Sequence, residues 1–187
     1  MAFAISRNQL VASVLVAGSI LGFTSAVHAD SQIAHGTASV DVVSGTRTLD
    51  KVAGKDADLY FGKMSLDDLA SGSVTRTATL QPGMFQVTDN SGNKNGWQLT
   101  AAVTNFKDAA NEKFDGGLKF DSGLTPEGVK LTADDNQKTG LVIYTGTQRG
   151  PWDNELGQVE MTVPSTANVG HYSADILYTL SDGKVNE

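Results

Sequence analysis

The chain contains no cysteine, and only 4 prolines and 3 histidines among its 187 residues. Without cysteine there is no disulfide framework, no thiolate nucleophile and no lipid-modified cysteine to act as an anchor. Basic side chains are outnumbered by acidic ones, 14 to 21, which leaves a net charge of −7. That balance argues against nucleic acid as a partner, because phosphate binding requires a basic patch. It also argues against electrostatic adhesion to anionic polymers or lipids. Two histidines, His35 and His171, lie beyond the N-terminal region, far apart and without clustered carboxylates. That is not a zinc-site pattern, and no metal or other cofactor is expected. No nucleophile elbow supports Ser-His-Asp chemistry. The carboxylates fall mostly in turns, which does not favour a two-carboxylate glycosidase. The chain therefore reads as a binding protein rather than an enzyme.

The one long apolar run is at the N-terminus. Arg7 precedes a mostly apolar stretch from Leu10 to Phe23, and Val27-His28-Ala29 follows as a plausible cleavage site before Asp30. This is the three-part layout of a secretory signal peptide over residues 1–29. The run is shorter than the ~18–20 residues of a membrane-spanning helix. Cleavage after Ala29 would leave 158 residues and, with Arg7 removed, a net charge of −8. That length suits a single domain, 30–187, able to bury a core without covalent staples. The last residues, Ser181 to Glu187, hold no apolar tail or basic cluster. The expectation is of a secreted chain with no membrane span after cleavage, held at a surface non-covalently.

Glycine, with 20 copies, and short polar turns punctuate the rest. Apolar runs are short and alternate with polar residues, which favours an all-β fold: an antiparallel, Ig-like β-sandwich with long irregular loops. Strands are expected over Thr37–Val43, Thr46–Val52, Val74–Leu80, Phe85–Val87, Trp97–Val103, Val129–Ala133, Leu141–Tyr144, Gln158–Val163 and His171–Leu180. Ser65 and Asp68 are placed to cap one helical turn. The dense turn signal Asp89 to Gly96 predicts a hairpin joining Phe85–Val87 to Trp97–Val103. Leu141-Val142-Ile143-Tyr144 is apolar on both faces and predicts a central strand.

Two stretches stand out. One is Gly96-Trp97-Gln98-Leu99-Thr100; the other runs from Tyr172 through Ile176, Tyr178 and Leu180 to Ser181-Asp182. On these paired motifs the chain resembles the WxL-domain proteins, surface proteins of low-GC Gram-positive bacteria. Trp97 and Leu99 match the proximal motif. Tyr172, Ile176, Tyr178 and Leu180 match the distal one, with Leu177 where threonine is usual, Tyr178 where tryptophan is usual, and no proline after Asp182. The resemblance covers nearly the whole chain after residue 29. It implies non-covalent attachment to peptidoglycan in the cell wall. It also implies co-encoded WxL proteins and a larger membrane-anchored surface protein as partners. The missing cysteines fit such a surface.

The residues assign roles differently. Trp97 alternates with Leu99, Ala101 and Val103, which favours a core position over stacking on a sugar ring; Tyr178 and Leu180 read the same way. Trp152 lies in the polar stretch Thr145–Gly157, where packing demands are weaker. With Arg149, Asp153 and Asn154 it forms the candidate ligand contact, the other reading being an indole folded back onto the sheet. Asp89, Asn90, Ser91 and Asn93 lack the closing glutamate of a calcium loop and read as a solvated turn. A structural or adhesin subunit, whose wall contact belongs to a partner protein, is the second functional reading.

Overall fold

The computed structural model describes residues 36–114, 116–121, 123–125, 127–136 and 140–183. The proposed signal peptide and the last four residues lie outside them. The chain divides into two units, Met1–Val40 and Asp41–Glu187. Of the first, the described residues 36–40 have no regular secondary structure and are exposed.

The second unit is built almost wholly from strands. In chain order they are β1 (Arg47–Lys51), then a four-residue helix α1 (Leu66–Leu69), β2 (Val74–Leu80), β3 (Gln86–Asp89), β4 (Trp97–Val103), β5 (Phe106–Lys107), β6 (Lys113–Phe114) and β7 (Gly117–Asp121). There follow β8 (Val129–Thr132), β9 (Leu141–Gly146), β10 (Gly150–Asp153), β11 (Gly157–Val163) and β12 (Ile176–Asp182). Helix α1 starts where Ser65 accepts from the Asp68 amide and Asp68 accepts from the Ser65 amide, a reciprocal capping box.

The ladders between strands are antiparallel. They form three main sheets, β2-β11-β7-β8, β12-β4-β9 and β1-β3-β10, with a small β5-β6 pair. Alternation directs one face of each sheet inward. β4 buries Trp97, Leu99, Ala101 and Val103, and β11 buries Val159, Met161 and Val163. Phe85 links the layers: its ring meets Phe120 at 6.3 Å, Tyr144 at 5.3 Å and Tyr178 at 5.3 Å. The result is the expected all-β, antiparallel architecture, with no sheet closed into a barrel among the described residues.

Four expectations are corrected. Thr37–Val43 is not a strand: Val40, Val42 and Val43 are 84%, 80% and 87% exposed. The hairpin across Asp89–Gly96 does not form. β3 pairs with β1 and β10, whereas β4 pairs with β12 and β9, so this turn carries the chain from one sheet to another. A turn signal reverses the chain but does not choose the hydrogen-bonding partner. β9 lies at the edge of its sheet, and Leu141 is largely exposed. The polar stretch Thr145–Gly157 contains a further strand, β10, which tolerates Pro151 because it is an edge strand.

Candidate functional site

The two motifs are neighbouring strands. Across the β4–β12 ladder, Trp97 faces Asp182, Leu99 faces Leu180 and Ala101 faces Tyr178. Residues between 77 (Ala101 and Tyr178) and 85 (Trp97 and Asp182) positions apart in sequence are thus one paired surface, with Leu99 fully buried and Ile176, Tyr178 and Leu180 half-buried against the core. Tyr172 lies just before β12, its ring 5.0 Å from that of Phe114.

Gly96 opens the proximal motif with φ +67, and a β-carbon there would collide with the Gly146 carbonyl. Glycine is required on both counts. The Gly96 carbonyl accepts from the Gly183 amide at 3.0 Å and from Arg47 Nη2 at 2.9 Å. Arg47 reaches this point from β1. Its guanidinium also donates to Asp89 at 3.3 Å, to Ser91 Oγ at 3.0 Å and to Asp182. One side chain therefore joins the ends of β1, β3, β4 and β12.

Charge in this clamp is held by partners. Burial works against the Arg47 cation, but hydrogen bonds to Asp182 and Asp89 prevail and raise its pKa. Burial works against the Asp89 carboxylate too, yet bonds from Ser91 and Arg47 hold its pKa below the ordinary range. Asp182 is lowered by its bonds to Arg47 and Asn93. Asp89 was expected in a solvated turn. It is buried instead, because its side chain organises that turn, accepting from the Ser91 amide at 2.9 Å and the Ser91 hydroxyl at 2.7 Å. Sequence reasoning missed Arg47; its only signal is a lone cation heading a short apolar-polar strand.

Trp97 is 1% exposed, a core position. Its ring packs edge-on against Trp152 at 5.0 Å and 66°. Trp152 in turn leans on Tyr144 at 5.0 Å. Desolvation, with a contribution from Asp121, pushes the Tyr144 phenol up to about 12, so it stays neutral. Trp152 is half-buried on β10, opposite Val87. The indole is packed against the core and remains partly exposed.

The four candidate contact residues do not converge. Trp152 and Asp153 are consecutive on a strand and point to opposite faces. Arg149 is exposed and reaches the Asp89–Gly96 turn near Gly92. Asn154 is not a surface contact. It is 2% exposed, its Oδ1 accepts from the Phe85 amide at 2.7 Å, and its Nδ2 donates to the carbonyls of Gln81 and Glu155 at 3.0 and 2.7 Å. Its amide is used to close the chain around Phe85, leaving nothing for a ligand. The structure brings Arg149 to the polar Asp89–Gly96 turn, near Gly92, and packs the partly exposed Trp152 against Trp97 and Tyr144.

This is an all-β domain in which an aromatic stack of Trp97, Trp152 and Tyr144 joins β4, β10 and β9. The chain belongs to the WxL family: the family described as "WxL domain surface cell wall-binding" matches residues 30–183. It is thus a surface domain that binds the cell wall. Among solved structures it is similar to one described as the crystal structure of the P pilus rod subunit PapA, with 16% identity and a TM-score of 0.46, over 73% of this chain and 98% of that one. No curated protein matches it. Among the described residues, no helix is long and apolar enough to cross a membrane.

Proposed function

We propose that the chain is exported with residues 1–29 removed and is retained on a Gram-positive wall by binding peptidoglycan, without catalysis. The contact would use the partly exposed Trp152 on β10 and, from the neighbouring end of that strand, Arg149 with the Asn90–Asn95 turn it reaches. The observation that carries this reading is the bracing of Trp152. A half-open indole fixed against Trp97 and Tyr144 offers a rigid face to a sugar ring at little cost in side-chain freedom. The amide-rich turn that Arg149 reaches supplies neutral hydrogen bonds, which suits an acidic protein.

Co-sedimentation with purified sacculi tests the reading. Trp152→Ala and Arg149→Ala should each lower the bound fraction while the fold is retained. Undiminished binding by both variants would overturn the assignment of this face.

A second reading, a structural or adhesin subunit in a complex with co-encoded surface proteins, is favoured by a different feature, the position of β12 at the edge of its sheet. Failure of the purified protein to bind bare sacculi, with binding to a co-encoded surface protein, would select it.

A further inference from the structure

The sandwich is incomplete along one side. β12 pairs with β4, and among the described residues its other edge has no ladder partner. β1 is likewise an edge strand. Between them opens a groove of about 1370 Å³, floored by Leu118 and Met161 and walled by Leu49, Leu59, Ile176 and Tyr178. The inward residues of β12 are only half-buried, whereas those of its partner β4 are sealed. Among the described residues, the buried Tyr178 hydroxyl has no hydrogen-bond partner. An edge that presents unpaired backbone over an apolar trough is a template for an added strand.

The same chain carries a strand-patterned segment that joins no sheet. Thr37–Val43 alternates as a strand should, with Ala38, Val40 and Val42 on one face, and β-branched residues favour that conformation. Yet its valines stand in solvent. The segment has seven residues, as does β12. It carries one charge, Asp41, and the groove lining holds charges of both signs, Lys55 and Lys63 with Asp58 and Asp175, so apolar contact and strand pairing would have to hold the segment.

We propose that the groove takes the Thr37–Val43 segment of a second copy of this chain, added as a strand alongside β12, so that copies join head to tail. Connectivity selects a second copy over the chain's own segment. The ladder with β3 already holds the backbone as far as Gly45, whose amide donates to the Asn90 carbonyl at 2.8 Å. Only Ser44 remains between that bond and Val43, and the common tight hairpin loops take about two residues. A head-to-tail contact of this kind leaves a free groove at one end and a free segment at the other, so assembly continues until the copies run out.

The test uses protein purified from cells that express the full chain. Light scattering on a sizing column should show species of two and more chains, growing with concentration. Val40→Asp/Val42→Asp removes the segment's apolar face, and Ile176→Arg blocks the groove; each should yield monomer. Mixing the two should give a heterodimer of one chain each, because one keeps its groove and the other its segment. A synthetic peptide of residues 36–46 should bind the Val40→Asp/Val42→Asp protein saturably, which holds even if Ile176→Arg fails to fold. A monomeric parent protein, assembly that survives both variants, or a peptide that does not bind would each overturn the proposal. Sacculus binding should be unchanged in Val40→Asp/Val42→Asp, so a failure here is separable from a failure of the wall-binding reading.

Discussion

Trp97 lies flat enough against Gly146 that a β-carbon on that glycine would sit 2.6 Å from the indole. The two residues face each other in the β4–β9 ladder, and the absence of a side chain at 146 is what admits the ring. Gly146→Ala should therefore destabilise the protein by about 1–3 kcal/mol through overpacking. Urea unfolding followed by tryptophan fluorescence measures it. An effect near zero would mean that the ring shifts freely.

The two tryptophans should separate folding from binding. Trp97→Ala removes a sealed core side chain and should cost about 3–5 kcal/mol. Trp152→Ala removes a half-open one, so its unfolding midpoint should fall less while its sacculus binding falls more. The reverse ordering would place the ligand on the wrong indole.

Asn154→Ala should cost about 1–3 kcal/mol, because it leaves the buried Phe85 amide without its acceptor. Sacculus binding, compared at temperatures where the variant is folded, should not change. A selective loss of binding would return Asn154 to the contact surface.

The Arg47 clamp contributes to the acid limit, alongside Asp135 and Asp68, whose carboxyls are also held below their ordinary range. Asp89 and Asp182 have lower pKa values folded than their ordinary 3.8, so unfolding takes up protons as the medium is acidified. Their stabilisation is complete above pH 3.8 and is lost as pH falls through the lowered values. Urea midpoints should drop steeply below about pH 4. Arg47→Gln should lower stability by about 3 kcal/mol at neutral pH, since Asp89 is left buried without its partner cation. It should also flatten the acid slope. An unchanged slope would show that the clamp does not contribute to the limit.

Salt should discriminate the mode of wall attachment. With a net charge of −7, attachment is expected to rest on stacking and neutral hydrogen bonds. Rising salt should leave the bound fraction nearly constant, because screening acts on charge attraction. Near-complete release by moderate salt would count against this mechanism.

Periodicity made the regular strands legible. β2 and β4 coincide with their expected ranges, β11 begins one residue early, and the Ser65–Asp68 cap is formed as read. What sequence could not provide was pairing. The turn at Asp89–Gly96 looked like a hairpin because its residues favour reversal, but Val87 and Trp97 belong to different sheets. Thr37–Val43 has strand patterning without a partner, and pattern alone cannot supply one. At the candidate site, the burial of Trp97 followed from its alternation with Leu99 and Ala101. The burial of Asn154 did not, because a polar residue in a polar stretch shows nothing of the Phe85 amide 69 positions away that it must satisfy. The Arg47 clamp was hidden for the same reason.

Arg47 and Asp182 stand 135 residues apart along the chain, yet their ion pair helps fasten the sandwich. Closure over so long a separation makes folding slow, since the entropy of a distant encounter must be met before its contacts form. A polypeptide that stays pliant until so late an encounter can be threaded through a narrow conduit first and assume its shape on the far side.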